Sequence, residues 1–423
     1  METDKQKEHA AVTKNSLTTP TSLSALEKLP TEVILMIGSE VFPHFMVVTL
    51  VSKRLRSVLL PQCFKTLKFS GSLKRLAHDM TSFLSGDLKH LMMTILPVLK
   101  SVTIRFEPYS RAEERTDLHL STHRIAVISD FISNLSSVDL ISFENIIGRE
   151  DIDFAEGLGN TPKWNGPKSV IFCGVRNLPI FSALINQFAP NTVKAAELPR
   201  LTVKNHPLTL KSAFPFLKGL KADLTSFNTR SRTLACMSRN LIQRFNYVFP
   251  HLEVLILDQL DVDAFVSSGG LIYVKPQLPN LNEYVEKLIV QLKSMPRLRC
   301  FAFSLRKDWL WHEYDCDMLH RVSSPSGDES DDPMQATLES NEWPYWLPTS
   351  AQRKWHSELI TRILEAVPQL KELCIVLCTV KFWYKHYRGT KTDSIVTVCQ
   401  EELCFLETPA QFPYGFADID WSC

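Results

Sequence analysis

The sequence predicts an α+β or α/β repeat protein: three short N-terminal helices, then an irregular solenoid of short parallel strands with helices outside. Two patterns and one scarcity carry this prediction. Five times a proline is followed two residues on by leucine, then by a charged residue and alternating apolar positions, at Pro97–Ile104, Pro215–Ala222, Pro250–Leu257, Pro296–Phe303 and Pro368–Ile375. Ahead of most copies a helical apolar stripe runs into the proline, as at Tyr284–Met295 and Trp355–Val367. A helix, a proline stop and a short strand make one unit, and its recurrence marks a stacked array. The second pattern is an apolar block from Leu23 to Phe69, in which Leu29, Val33, Ile34, Ile37 and Val41 recur with the period of a helix that buries one face. Glycine is scarce, 14 of 423 residues, which disfavours Gly-rich phosphate loops and a turn-dense all-β fold.

Taken in order, residues 1–22 are rich in Lys, Glu, Thr, Ser and Gln, cannot build a core, and are expected to form a disordered tail. In the block 23–70, Pro30 suits the first helical position and Glu32 complements the positive helix end. Phe42-Pro43-His44 breaks the first helix, Phe45–Leu50 is apolar almost all round, and Leu55, Val58 and Leu59 continue until Pro61 stops the pattern. Region 71–423 holds the repeats, whose prolines are 118, 35, 46 and 72 residues apart. Weaker copies at Leu135–Leu140 and Lys168–Phe172 place two or three degenerate units in the first gap. The last gap contains an insertion, 322–352, with Asp328, Glu329, Asp331, Asp332, Glu339 and Glu342 and no Lys, Arg or His. It is expected to be a disordered surface loop. Ser326 and Ser330 are candidate phosphorylation positions within it, and Trp343, Trp346 and Trp355 are expected to anchor it to the core.

The helical block is the most specific part of the chain. Leu29-Pro30-Thr31-Glu32-Val33-Ile34-Leu35-Met36-Ile37 is followed, twenty-one residues after the proline, by Leu50-Val51-Ser52-Lys53-Arg54-Leu55-Arg56 and then Leu60-Pro61-Gln62-Cys63-Phe64. This arrangement resembles the F-box, over about a tenth of the chain. The resemblance implies docking on Skp1, which connects to the cullin and RING subunits of an SCF ubiquitin ligase, with the remaining chain presenting a substrate. It implies that Leu29, Pro30, Ile34, Ile37, Val51 and Leu55 make the Skp1 contact or its supporting core, with Lys53 and Arg54 at the rim. Val41 stands where the family usually has leucine, and the tip Phe42–Met46 lacks the common acidic residue, which weakens the expected affinity. Independently, three helices from some 40 residues carry more apolar surface than they can hide in each other.

The downstream units resemble degenerate leucine-rich repeats. In such an array, alternation turns the residues between the leucine-type positions away from the core. The substrate-face candidates are Arg105, Lys221, Asp223, Val254, Ile256, Asp258, Ser304 and Glu372, accompanied by Ser101, Thr103, Ala302, Cys374 and Val376.

Catalytic and other binding readings are thin. None of the phosphate-loop, dinucleotide, zincin or nucleophile-elbow motifs occurs. His312, Cys316 and His320 share helical spacing and could supply three zinc ligands, the basis of a metal-dependent enzyme as an alternative. Lys381–Arg388 mixes bases with aromatics as nucleic-acid binders do, yet 47 basic against 46 acidic residues leave a net charge of +1 and no global field for a phosphate backbone. Ten cysteines without recurring spacing, and no apolar stretch near the ~20 residues a bilayer requires, point to reduced thiols in the cytoplasm or nucleus. No cofactor is expected. The sequence reading is therefore a non-catalytic substrate-recognition adaptor of a ubiquitin ligase, with a Skp1-binding or repeat-based scaffold outside any ligase as the nearest alternative.

Overall fold

The computed structural model describes residues 25–40, 50, 52–85, 93, 95–107, 118–146, 154–175, 177–198, 206–223, 239–258, 281–305, 349–378, 383–393 and 395–404. The chain forms two compact units, residues 1–65 and 66–423. Thr66–Gly71, grouped with the helical block by sequence, is the first strand of the second unit.

In the first unit a 3-10 turn, Leu26–Lys28, leads to α1 (Thr31–Glu40), and α2 spans Lys53–Cys63. Pro30 stands one residue ahead of α1, where its carbonyl accepts the Ile34 N–H at 3.1 Å. Ser52 caps α2: its Oγ accepts from Leu55 N at 3.1 Å and its carbonyl from Arg56 N at 3.0 Å. Pro61 does not stop α2; it lies inside the helix, near the C-terminal end, where only the bond to the Ser57 carbonyl is forfeited. The expected middle helix falls outside the described residues.

The second unit is mixed α/β, built on one open sheet of eleven strands in strict chain order. The strands are β1 (Thr66–Gly71), β2 (Ser101–Phe106), β3 (Leu140–Glu144), β4 (Ser169–Cys173), β5 (Ala195–Leu198), β6 (Gly219–Asp223), β7 (Val254–Asp258), β8 (Cys300–Leu305), β9 (Glu372–Cys378), β10 (Trp383–Thr392) and β11 (Ile395–Cys404). From β1 to β9 every neighbouring pair is parallel. The connections carry α3 (Leu73–Ser85), α4 (Leu118–Ser133), α5 (Phe154–Gly159), α6 (Leu178–Gln187), α7 (His206–Ala213), α8 (Arg239–Val248), α9 (Leu281–Lys293) and α10 (Thr349–Ala366), each packed beside the next. Their buried faces and one face of the sheet enclose a continuous core. One layer of that core runs through Leu67, Val102, Ile141, Val170, Ala196, Leu220, Leu255, Phe301 and Leu373, which stand in register from β1 to β9.

The proline–leucine signature now has a physical account. Phe214, Phe249, Met295 and Val367 accept through their carbonyls from the N–H groups of Leu217, Leu252, Leu298 and Leu370, at 3.1–3.3 Å. Each proline is therefore the second residue of a four-residue turn, where its fixed φ fits, and the leucine it delivers is buried. The charged residue that follows carries the next bond outward. The Lys100 carbonyl receives the N–H groups of Asp139 and Leu140; Asp139 receives those of Lys168 and Ser169. The same pairing passes through Lys168, Lys194, Lys218, Glu253 and Arg299 to Lys371 and Glu372.

Three degenerate units occupy the long gap, ending in β3, β4 and β5. The last escaped notice because Asn191, at φ 64°, adds a residue between Pro190 and the strand. The parallel array then reverses: β10 and β11 form an antiparallel hairpin on β9, which the expectation of parallel strands did not include. Helix α10 covers the core side of this hairpin, with His356 stacked on Tyr387 at 4.1 Å. A Cβ on Gly389 would overlap Ile360 Cγ2 and stand 3.0 Å from Leu364 Cδ1, so glycine is what lets α10 approach β10.

Gly389→Ala is accordingly expected to cost about 1–3 kcal/mol in urea unfolding. Gly159→Ala, where an added Cβ meets nothing within 4 Å, should be neutral or stabilising.

Candidate functional site

Three places in the described residues hold chemistry beyond packing: the outer side of the helical pair, the sheet face away from the helices, and the edge where strands begin.

In the helical pair, Ile34, Leu55 and Leu59 form a small core, each 1% exposed, with Leu29, Leu35 and Val58 packed around it. Arg54 is drawn in rather than left at the rim, its Nη2 donating to the Leu29 carbonyl at 2.7 Å. The residues expected to act together thus divide. Ile34 and Leu55 are structural, Leu29 is half-buried, Pro30 and Ile37 are exposed, and Val51 lies outside the described residues. The apolar stripe does not bury one face as the periodicity suggests: Val33, Met36 and Ile37 remain exposed, Met36 at 68%. These three sit at i, i+3 and i+4, adjacent on one helix surface. The sequence signal for Met36 was present in that spacing but merged with the inward stripe.

The second place is the open sheet face. Its central row, strand by strand, is Lys68, Thr103, Ser142, Ile171, Glu197, Lys221, Ile256, Ala302, Cys374, Arg388 and Cys399. Alternation predicted the side correctly for Arg105, Lys221, Val254, Ile256 and Glu372, and Asp223, Asp258 and Ser304 hold the corresponding register positions. What alternation did not predict is dryness. Arg105 is exposed, but Val254, Ile256, Ala302, Cys374 and Val376 make a buried apolar cluster, and Leu140, Ile171 and Ala195 make a second. Between these clusters Lys221 Nζ lies 3.2 Å from Glu197 Oε1, with side chains only 6% and 16% exposed. Glu197 was invisible to sequence reading because its strand was.

At the far side of the larger cluster Glu372 binds the Arg388 Nε, and the Cys300 Sγ donates to Glu372 Oε2 at 3.7 Å. Burial, and then the Glu372 carboxylate, push the Cys300 thiol from 9.0 up to about 12. Arg388, read first as part of a base-and-aromatic patch, is thus a partner within the sheet.

Along the strand-start edge the ladder residues Lys100, Asp139, Lys168, Lys194, Lys218, Glu253, Arg299 and Lys371 stack about one strand spacing apart, ~4.8 Å. Asp139 is shared by Lys100 at 3.4 Å and Lys168 at 3.1 Å, and Lys218 pairs with Glu253 at 3.3 Å. Beside them Phe216 meets His251, whose Nδ1 lies 2.9 Å from Arg297 Nη1.

Compared with known proteins, the chain matches no family model and no curated protein at a significant level. His312, Cys316 and His320 lie outside the described residues, and among the described residues no three potential ligands gather for a metal ion. No helix among them is long and apolar enough to cross a membrane.

Two outcomes follow. Lys221→Met strands a buried carboxylate and should destabilise by about 3–5 kcal/mol in urea titrations, most of it recovered in Lys221→Met/Glu197→Met. For Cys300, both states hold the proton below pH 9; above it the unfolded thiol ionises while the folded one does not, so stability falls as pH rises towards about 12. Cys300→Ala should flatten that alkaline limb in urea midpoints measured from roughly pH 8 to 11.

Proposed function

We propose that the protein is a non-catalytic adaptor of the F-box type, whose helical block docks on Skp1 while the α/β repeat unit, of leucine-rich-repeat character, receives a target protein. The observation that carries this reading is the divided helix α1. Ile34 closes a core with Leu55 and Leu59, while Val33, Met36 and Ile37 stand exposed. An apolar helix face of this size left in water is a docking surface in search of a groove. The spacing of Leu29-Pro30 to Leu50–Arg56, quoted above, agrees with it. Leu50 adds a further exposed apolar group.

The repeat unit supports the second half of the reading by its construction. Parallel strands in unbroken register place side chains from many units on one face, the arrangement by which repeat proteins gather a binding surface from separate segments. Ubiquitin transfer would then gain from effective concentration: a target held beside a charged conjugating enzyme reacts as if intramolecular, with no bond made or broken by this chain.

The test separates contact from support. In binding assays with purified Skp1, Met36→Asp/Ile37→Asp should raise Kd by about thirtyfold or more, roughly 2 kcal/mol, without lowering the melting temperature. Ile34→Asp should lose binding and unfold the helical block together. Wild-type protein that fails to bind Skp1 ends the proposal, and a Skp1 complex that never recruits a cullin leaves a scaffold in place of a ligase subunit.

A further inference from the structure

The apolar cluster on the open face of β7–β9 poses a question of cover. Ile256, Ala302, Cys374 and Val376 are each 0% exposed and Val254 is 5%. Yet every described helix packs on the other face, and among the described residues no element lies over this one. Side chains on a sheet face lose all contact with water only when something lies on top of them.

We propose that residues 405–423 of this chain lie across the open face of β7–β9 and are what covers this cluster. Three observations select that segment. The first is position. Strand β11 pairs antiparallel with β10, which pairs antiparallel with β9, so β11 runs the same way as β9 and delivers Cys404 to the edge where β9 ends. From β11 to β8 is three strand spacings, about 14 Å. Nineteen residues can span roughly 60 Å when extended. The second is obligation. Residues 224–238, 259–280 and 306–348 join β6, β7 and β8 to α8, α9 and α10, which lie on the opposite side of the sheet. Residues 405–423 follow a strand with no described helix after it.

The third is chemistry. The segment holds Phe405, Leu406, Phe412, Tyr414, Phe416, Ile419 and Trp421, with Glu407, Asp418 and Asp420 and no Lys, Arg or His. Its aromatic groups suit a cluster of Val, Ile, Ala and Cys side chains. Its carboxylates suit the neighbouring strand β10, where Arg388 and His386 stand opposite Cys374 and Val376. The substrate-face candidates Val254 and Ile256 would then be occupied in the resting chain, and an incoming target would have to displace the segment. The inference does not depend on the adaptor reading and stands or falls without Skp1.

Cys374 reports the outcome directly. In the full chain, native iodoacetamide labelling resolved peptide by peptide should modify the exposed Cys173 and Cys399 quickly and leave Cys374 protected. Phe412→Asp/Phe416→Asp in the full chain should accelerate Cys374 labelling at least about tenfold, with labelling of Cys173 and the melting transition unchanged. A synthetic 405–423 peptide added to that variant should slow it again. Cys374 labelling as fast as Cys399 in the wild-type chain would mean that the face is bare. Protection that survives the double substitution would mean that another segment covers it. Either result overturns the proposal.

Discussion

The second unit depends on one repeated backbone contact: the carbonyl of the residue leading into each strand accepts two N–H groups from the next unit. A parallel ladder is otherwise free to slip, and a slip by one residue would turn every core side chain outward. Here the turn before the strand ends in a buried leucine, and the residue after it is pinned to its counterpart in the neighbouring unit. Register is thus set at the start of each strand, and the layers through Val102, Ile141, Val170 and Leu220 follow from it. Loop lengths between strands are then free to vary, because no register information is stored in them.

This explains why some of the fold was legible and some was not. Where the turn is Pro-x-Leu, the proline, the leucine and the charge all appear in sequence, and the strands after Pro97, Pro215, Pro250, Pro296 and Pro368 were found. Where the same turn is made by Leu135-Ser136-Ser137-Val138, the bond from Val138 N to the Leu135 carbonyl remains but the proline does not, and only a weak copy was visible. Strand β1 has no such turn in front of it in the sequence pattern, and β5 hides behind the left-handed Asn191. The β10–β11 hairpin turns at Asp393, at φ 55°, a two-residue reversal that the base-and-aromatic run before it obscured.

The candidate surfaces were legible by side and not by depth. Alternation assigns Lys221, Val254 and Ile256 to the open face, and they are there. It carries no information on what lies above that face, so a buried Lys221–Glu197 pair and a dry aliphatic patch both read as solvated surface. In the helical pair the limit was different. A single stripe of apolar residues contains two faces, one closing on Leu55 and Leu59, the other left open at Val33, Met36 and Ile37. Periodicity measures that a helix is amphipathic; only the packed neighbour decides which part of the stripe is used at home.

The hairpin has one more consequence. A stacked array that can accept one more unit can accept many, and an uncovered parallel edge invites copies of the same chain to continue it end to end. By reversing direction on β9, strand β10 presents an edge that the next parallel unit could not extend in the same geometry, and β11 repeats the reversal two residues after Thr392. The sheet carries its own terminator, which fixes how many units can stack and turns a fibre-forming architecture into a particle of finite size.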